Sequence, residues 1–197
     1  MNFKKTEYRL LKTKWNETEK GQIAWIIAPF MLLFLGTLLC GQMQLEVFRM
    51  SSVYLEDALA ASNLASAVID VEEYGISHKL IISDLDEAYD KYCVALKGNL
   101  GLNEAWECEN KHLIDGVVRV EKYIVYNVTD EQIIIHGRDA EGNMWESQYT
   151  TGQVYAPNGE EIVTTSVYSE ISYPTKGMWN VEIQAHKGKL VDIVLKE

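Results

Sequence analysis

Histidine is the residue most able to do acid–base or metal chemistry near neutral pH, but His78, His112, His136 and His186 stand far apart in this chain. None falls in an H-E-x-x-H or a paired Cys/His ligand spacing. Asp84, Asp86 and Asp90 lie at i, i+2 and i+6, and Asp139-Ala140-Glu141-Gly142-Asn143 only faintly echoes a calcium loop. The required glycine position and the terminal bidentate glutamate are missing, so these acids read as a helix start and a solvated hairpin. The sequence has no G-x-S-x-G, no G-x-x-x-x-G-K-[ST] and no G-x-G-x-x-G, which leaves no activated serine and no phosphate cradle. The acid pairs Glu72-Glu73 and Glu160-Glu161 are solvated faces in a charge-rich segment. The chain is read as a non-enzyme, with no catalytic residue, no metal ligand set, no cofactor and no small-molecule substrate.

Cysteine use points to an oxidising exterior. Cys93 and Cys108 flank VALKGNLGLNEAWE, which carries little core pattern of its own. A disulfide between them would staple that loop, worth about 3 kcal/mol in the chain-entropy picture. The alternative is a pair of buried thiols. Cys40 lies in an apolar run and reads as packing rather than as a lipidation site.

The elements that would position any site begin with that run. No charged residue occurs from Gly21 to Leu45, and IAWIIAPFMLLFLGTLL fills Ile23 to Leu39. About 20 apolar residues at ~1.5 Å each cross a ~30 Å hydrocarbon core, whereas a secretory h-region needs only ~7–15. A retained anchor is therefore expected, a signal cut just beyond Cys40-Gly41 being the alternative. Residues 1–20 carry a net +3 and the remainder −14, so the positive-inside rule places residues 1–20 in the cytoplasm and 46–197 outside. An overall charge of −11 argues against nucleic acid as a partner. Pro29 would kink the span near its first interface.

Beyond Leu45 the helical spacing continues through Leu45, Phe48, Leu55, Leu59, Leu64 and Val68, with alanines between them, and predicts one helix as far as Tyr74 with Gly75 as its stop. Those six residues form a packing stripe toward the chain's own domain, other subunits, or both. A second helix is predicted over Asp84–Leu96, capped by Ser83 and ended by Gly98. From Val117 onward the texture is β: VVRVEKYIVYNV, QIIIHGRD, MWESQYT, EIVTTSVYSEISY, WNVEIQAH and KLVDIVLK, with the last two separated by a turn at Lys187-Gly188. The fold class is α+β: a long N-terminal transmembrane and stalk helix, with an extracytoplasmic antiparallel β-meander domain. The segments are 1–20 cytoplasmic, 21–45 transmembrane, 46–74 stalk and 75–197 outer domain.

The residues Lys20-Gly21-Gln22-Ile23-Ala24-Trp25-Ile26-Ile27-Ala28-Pro29-Phe30-Met31-Leu32-Leu33 resemble the start of TadE-like proteins, the minor pilins of the tight-adherence type IV pilus system. Tyr54-Leu55-Glu56-Asp57-Ala58-Leu59-Ala60-Ala61-Ser62-Asn63-Leu64-Ala65-Ser66-Ala67-Val68 is similar to the Ala-rich stretch that follows the membrane in that family. The likeness covers roughly residues 20 to 72. It implies prepilin-peptidase cleavage between Gly21 and Gln22, a pilin-like fold, and other pilin or pilus-assembly subunits and the lipid bilayer as partners. The family's early glutamate has no counterpart among the apolar residues around Ile26. This implies an initiating, capping or accessory role rather than that of the major subunit.

Overall fold

The computed structural model describes residues 3–109, 114–150, 154–176 and 181–194, with side chains from Trp25 onward. The chain divides into two units, 1–49 and 50–197. Helix α1 (Phe3–Ala65) runs through the first and into the second, and Pro29 lies inside it without ending it. Among the described residues it is the one helix long and apolar enough to cross a membrane. In the first unit Trp25, Phe30, Leu33, Met43 and Leu45 are all exposed among the described residues.

The second unit holds α2 (Val71–Ser77), α3 (Leu85–Leu100) and the strands β1 (Arg119–Val128), β2 (Gln132–Asp139), β3 (Met144–Thr150), β4 (Ser166–Lys176) and β5 (Glu182–Asp192). The strands form one antiparallel sheet in the order β3-β2-β1-β4-β5. The α+β class is as expected, but the simple meander is not. β1 to β3 follow one another by tight turns, after which the chain crosses the sheet to place β4 on the far side of β1. The crossover carries apolar residues: Ala156 and Ile162 are buried with Ile124, Tyr126, Ile135, Tyr168 and Leu190 in a core on one face of the sheet. The opposite face, with Tyr123, Val125, Val167 and Ile171, packs on α3 and the end of α1. With both faces covered, β1 is buried at five successive positions, Tyr123 to Asn127, instead of alternating.

Four further sequence-based expectations need correction. The helix from the membrane ends at Ala65, not Tyr74. Ser62 and Ser66 turn their hydroxyls onto the Ala58 and Asn63 carbonyls, and Asp70 then caps a separate α2 through the Glu72 and Glu73 amides. Gly75 lies within α2, and the left-handed residue that closes it is His78. Helix α3 is capped by Asp84 rather than Ser83, whose hydroxyl donates to Asp70. It runs past Gly98 to Gly101, where the Leu102 N–H bonds back to the Lys97 carbonyl in a left-handed cap. The extra turn buries Leu100 beside Leu96, giving the segment after Cys93 the core pattern it lacked on paper.

The third correction concerns the last strands, which are one strand. Lys187-Gly188 is no turn: Gly188 lies opposite Glu170 in the middle of β5, and the Tyr168 ring lies so close that a Cβ there would come within 2.2 Å of its hydroxyl. The glycine serves close approach, not reversal. The fourth is the disulfide, which is not formed. Cys93 faces Tyr89 on α3, while the buried Cys108 thiol donates to the Leu100 carbonyl at 3.4 Å.

Candidate functional site

The outer end of α1 is where the structure concentrates specific contacts. Leu55, Ala58, Leu59, Ser62, Asn63 and Ser66 are buried at the i, i+3, i+4, i+7, i+8 and i+11 spacing of one helical face. Asn63 Nδ2 donates to the carbonyls of Val167 (3.3 Å) and Lys189 (2.8 Å), tying the helix to β4 and β5. Lys187 closes the same seam from β5, its Nζ lying 2.6 Å from Glu56 and 2.9 Å from the Ser52 hydroxyl. The hydrogen bond from Lys187 holds the Glu56 carboxyl below its ordinary range. Tyr54 donates to the Asn99 carbonyl at 2.6 Å and fixes the helix against α3.

The six residues read as one stripe therefore part company. Leu55 and Leu59 are core; Val68 is half-buried beyond the helix end; Leu45, Phe48 and Leu64 stay exposed. Leu64 and Val53 give the outer turns an apolar side that no described residue covers. Gly21 and Gln22 lie within α1, and their side chains are outside the described residues.

A second feature is a cleft of about 230 Å³ between the start of α3 and the β2–β3 hairpin. Its floor is Tyr89, Tyr123 and Val125, and Tyr92 lies behind, its ring tilted against that of Tyr123 at 5.0 Å between centroids. Arg138 lies 4.4 Å over the Tyr89 ring and 3.7 Å from Asp86, with the His136–Glu146 cross-strand pair beside it. The cleft suits a small apolar or aromatic group with a polar end at the guanidinium. Cys93 does not line it, and burial pushes that thiol up. His186 lies on β5 beside Glu170, and His112 is outside the described residues. Asp139, read as part of a faint calcium loop, instead accepts from the amides of Glu141 and Asn143 and from the Asn143 side chain. No group of three metal-ligating side chains occurs among the described residues. The cleft was not legible beforehand, because Tyr89, Tyr123 and Arg138 lie on three elements whose packing brings them together.

The buried phenols make the domain sensitive to alkali. Burial pushes Tyr89 and Tyr126 up to about 12, and raises Tyr92, Tyr123 and Tyr168 as well. An unfolded tyrosine ionises near pH 10, so above that pH the unfolded chain releases protons that the folded chain keeps. The contribution of these rings should be intact from pH 8 to 10, and stability should fall steeply between pH 10 and 12. A urea midpoint followed from pH 8 to 12 checks this, and a flat profile would contradict burial of these rings.

No protein family, curated protein or solved structure matches this chain.

Proposed function

We propose that the chain is a single-pass, N-in membrane protein of the TadE-like minor pilin type, a non-enzymatic component of a tight-adherence surface pilus or of its assembly machinery. The observation that carries this reading is one continuous helix, Phe3–Ala65, whose apolar stretch from Trp25 is exposed among the described residues while its outer turns are built into an antiparallel-sheet domain. A helix so arranged leaves the bilayer as a rod and can pack in bundles through small side chains; Ala60, Ala61 and Ala65 lie on its outer turns. The basic N-terminal segment and acidic remainder support the orientation. The exposed Leu64 and Val53 supply a face for neighbouring subunits.

The test is the intact mass of the protein in a sheared surface fraction and in the membrane fraction of its host. A form beginning at Gln22 in the sheared fraction is the expected result. A form retaining Lys20-Gly21 and confined to membranes would overturn prepilin-type processing. In the same host, Leu64→Glu should cut recovery from the sheared fraction at least tenfold while leaving membrane insertion intact.

The cleft over Tyr89 favours a second reading, a membrane-anchored extracytoplasmic binding module that pairs with another membrane protein. A small aromatic acid that raises the melting temperature of the native protein, an effect lost in Arg138→Ala, would support it over the first.

A further inference from the structure

The two edges of the sheet are built differently. β5 is guarded by Lys187 and Lys189, the kind of charge that discourages strand addition, and is also tied to α1. β3 has no lysine, proline or bulge: its residues are Met144, Trp145, Glu146, Ser147, Gln148, Tyr149 and Thr150, paired on one side only with β2 over the whole strand. Met144, Trp145 and Tyr149 are 60%, 43% and 50% exposed, large apolar groups on a strand that no strand besides β2 pairs with among the described residues. Beneath Trp145 and Tyr149 lies an apolar hollow of about 480 Å³, floored by Tyr126 and Ile135 and walled by Tyr155 and Pro157 of the crossover.

We propose that β3 is a dimerisation edge, on which a second copy of this chain adds its own β3 antiparallel to join two five-stranded sheets into one of ten. The strand is complementary to itself about Ser147. In that register Trp145 faces the partner's Tyr149, Glu146 faces the partner's Gln148, Met144 faces the partner's Thr150, and Ser147 faces the partner's Ser147. All seven residues pair, the aromatic pair occurs twice above the apolar hollows, and the strand's one charge meets an amide rather than its own like. Shifting the axis to Glu146 would set two carboxylates opposite each other and shorten the ladder. A two-fold axis makes the contact closed and isologous, so it yields dimers rather than open aggregates. The proposal does not rest on the pilus reading.

The test is oxidative cross-linking of the full chain in detergent micelles, in a Cys40→Ala background. Directly opposed residues in an antiparallel pair have Cα atoms about 4.5–5.5 Å apart, within the ~4.4–6.8 Å that a disulfide spans. Ser147→Cys should convert most of the protein to a covalent dimer under mild oxidation. Glu146→Cys should cross-link at least tenfold more slowly, because the two-fold axis leaves its copies roughly 8 Å apart, from ~3.4 Å rise per residue and ~4.8 Å strand spacing. Without any cysteine change, Gln148→Glu opposes carboxylates twice across the seam and should raise the dimer dissociation constant at least tenfold in light scattering. Its circular dichroism should be unaltered, since the position is exposed. Equal cross-linking at 146 and 147, a monomeric unmutated protein, or a Gln148→Glu protein that dimerises normally would each overturn the proposal.

Discussion

Leu59→Ala should lower the stability of the outer domain by about 2–5 kcal/mol, whereas Leu64→Ala, five residues along the same helix, should change it by no more than about 0.5 kcal/mol. The two leucines are chemically identical and both fit a helical apolar pattern. Leu59 is fully enclosed and belongs to the core that includes Tyr92, Leu96 and Val167. Leu64 is 59% exposed on the side turned away from that core. Truncating Leu59 removes transfer energy and leaves a cavity that a helix tied to two strands by Asn63 and Lys187 cannot readily collapse into. Truncating Leu64 removes surface that was already wet. Denaturant midpoints of the full-length protein in micelles, read by the far-ultraviolet signal of the sheet, separate the two. Equal losses would mean that the helix packs on its domain by a different face. The contrast also shows which variant is suited to probing assembly: an effect of Leu64→Glu on subunit contact can be read without a collapse of the fold beneath it.

The second large effect is expected at Asn127. Asn127→Ala should cost about 2–4 kcal/mol, because it strips two buried hydrogen bonds from one backbone residue, and each group left unsatisfied costs about 1–3 kcal/mol. The Asn127 Oδ1 accepts from the Ile82 N–H at 2.9 Å, and its Nδ2 donates to the Ile82 carbonyl at 3.0 Å. Ile82 lies in the short link between α2 and α3 that no sheet ladder supports, and its side chain is buried in the core. Asn127 serves there as a one-residue substitute for a neighbouring strand. Thr165 reinforces it, donating to the Leu80 carbonyl and accepting from the Val128 N–H. Asn127→Asp keeps the acceptor but turns a carboxylate oxygen toward the Ile82 carbonyl, so it should not recover the loss. Hydrogen exchange at the Ile82 amide gives a local reading: its protection should fall further than that of amides in β1. An Asn127→Ala protein with unchanged stability would mean that water or a shifted link replaces the clasp.

The sequence carried the elements whose evidence is local. Four of the five strands lie where alternation and turn residues put them, and α1 follows its 3.6-residue spacing as far as Ala65, because both periods are consequences of which side of one element is buried. Element ends were less legible when a tertiary partner set them. Gly98 and Gly75 look like stops, yet α3 continues for another turn that buries Leu100, and α1 halts at serines and an asparagine engaged with their surroundings. Gly188 is the sharpest case, since a Lys-Gly pair reads as a turn until the Tyr168 ring is placed against it.

What the sequence alone determined is an apolar helix long enough to cross a bilayer, a charge difference between its two flanks, an α+β domain beyond it, and no recognisable spacing of catalytic or metal-binding residues. These properties depend on composition and near-neighbour spacing, which one chain displays in full. Only the tertiary structure decided the strand order, the covering of the second sheet face by a crossover, the separation of Leu59 from Leu64, the cleft beneath Arg138 and the difference between the β3 and β5 edges. Each of these depends on contacts between residues tens of positions apart. Periodicity along the chain records that a side chain is buried, but not what buries it.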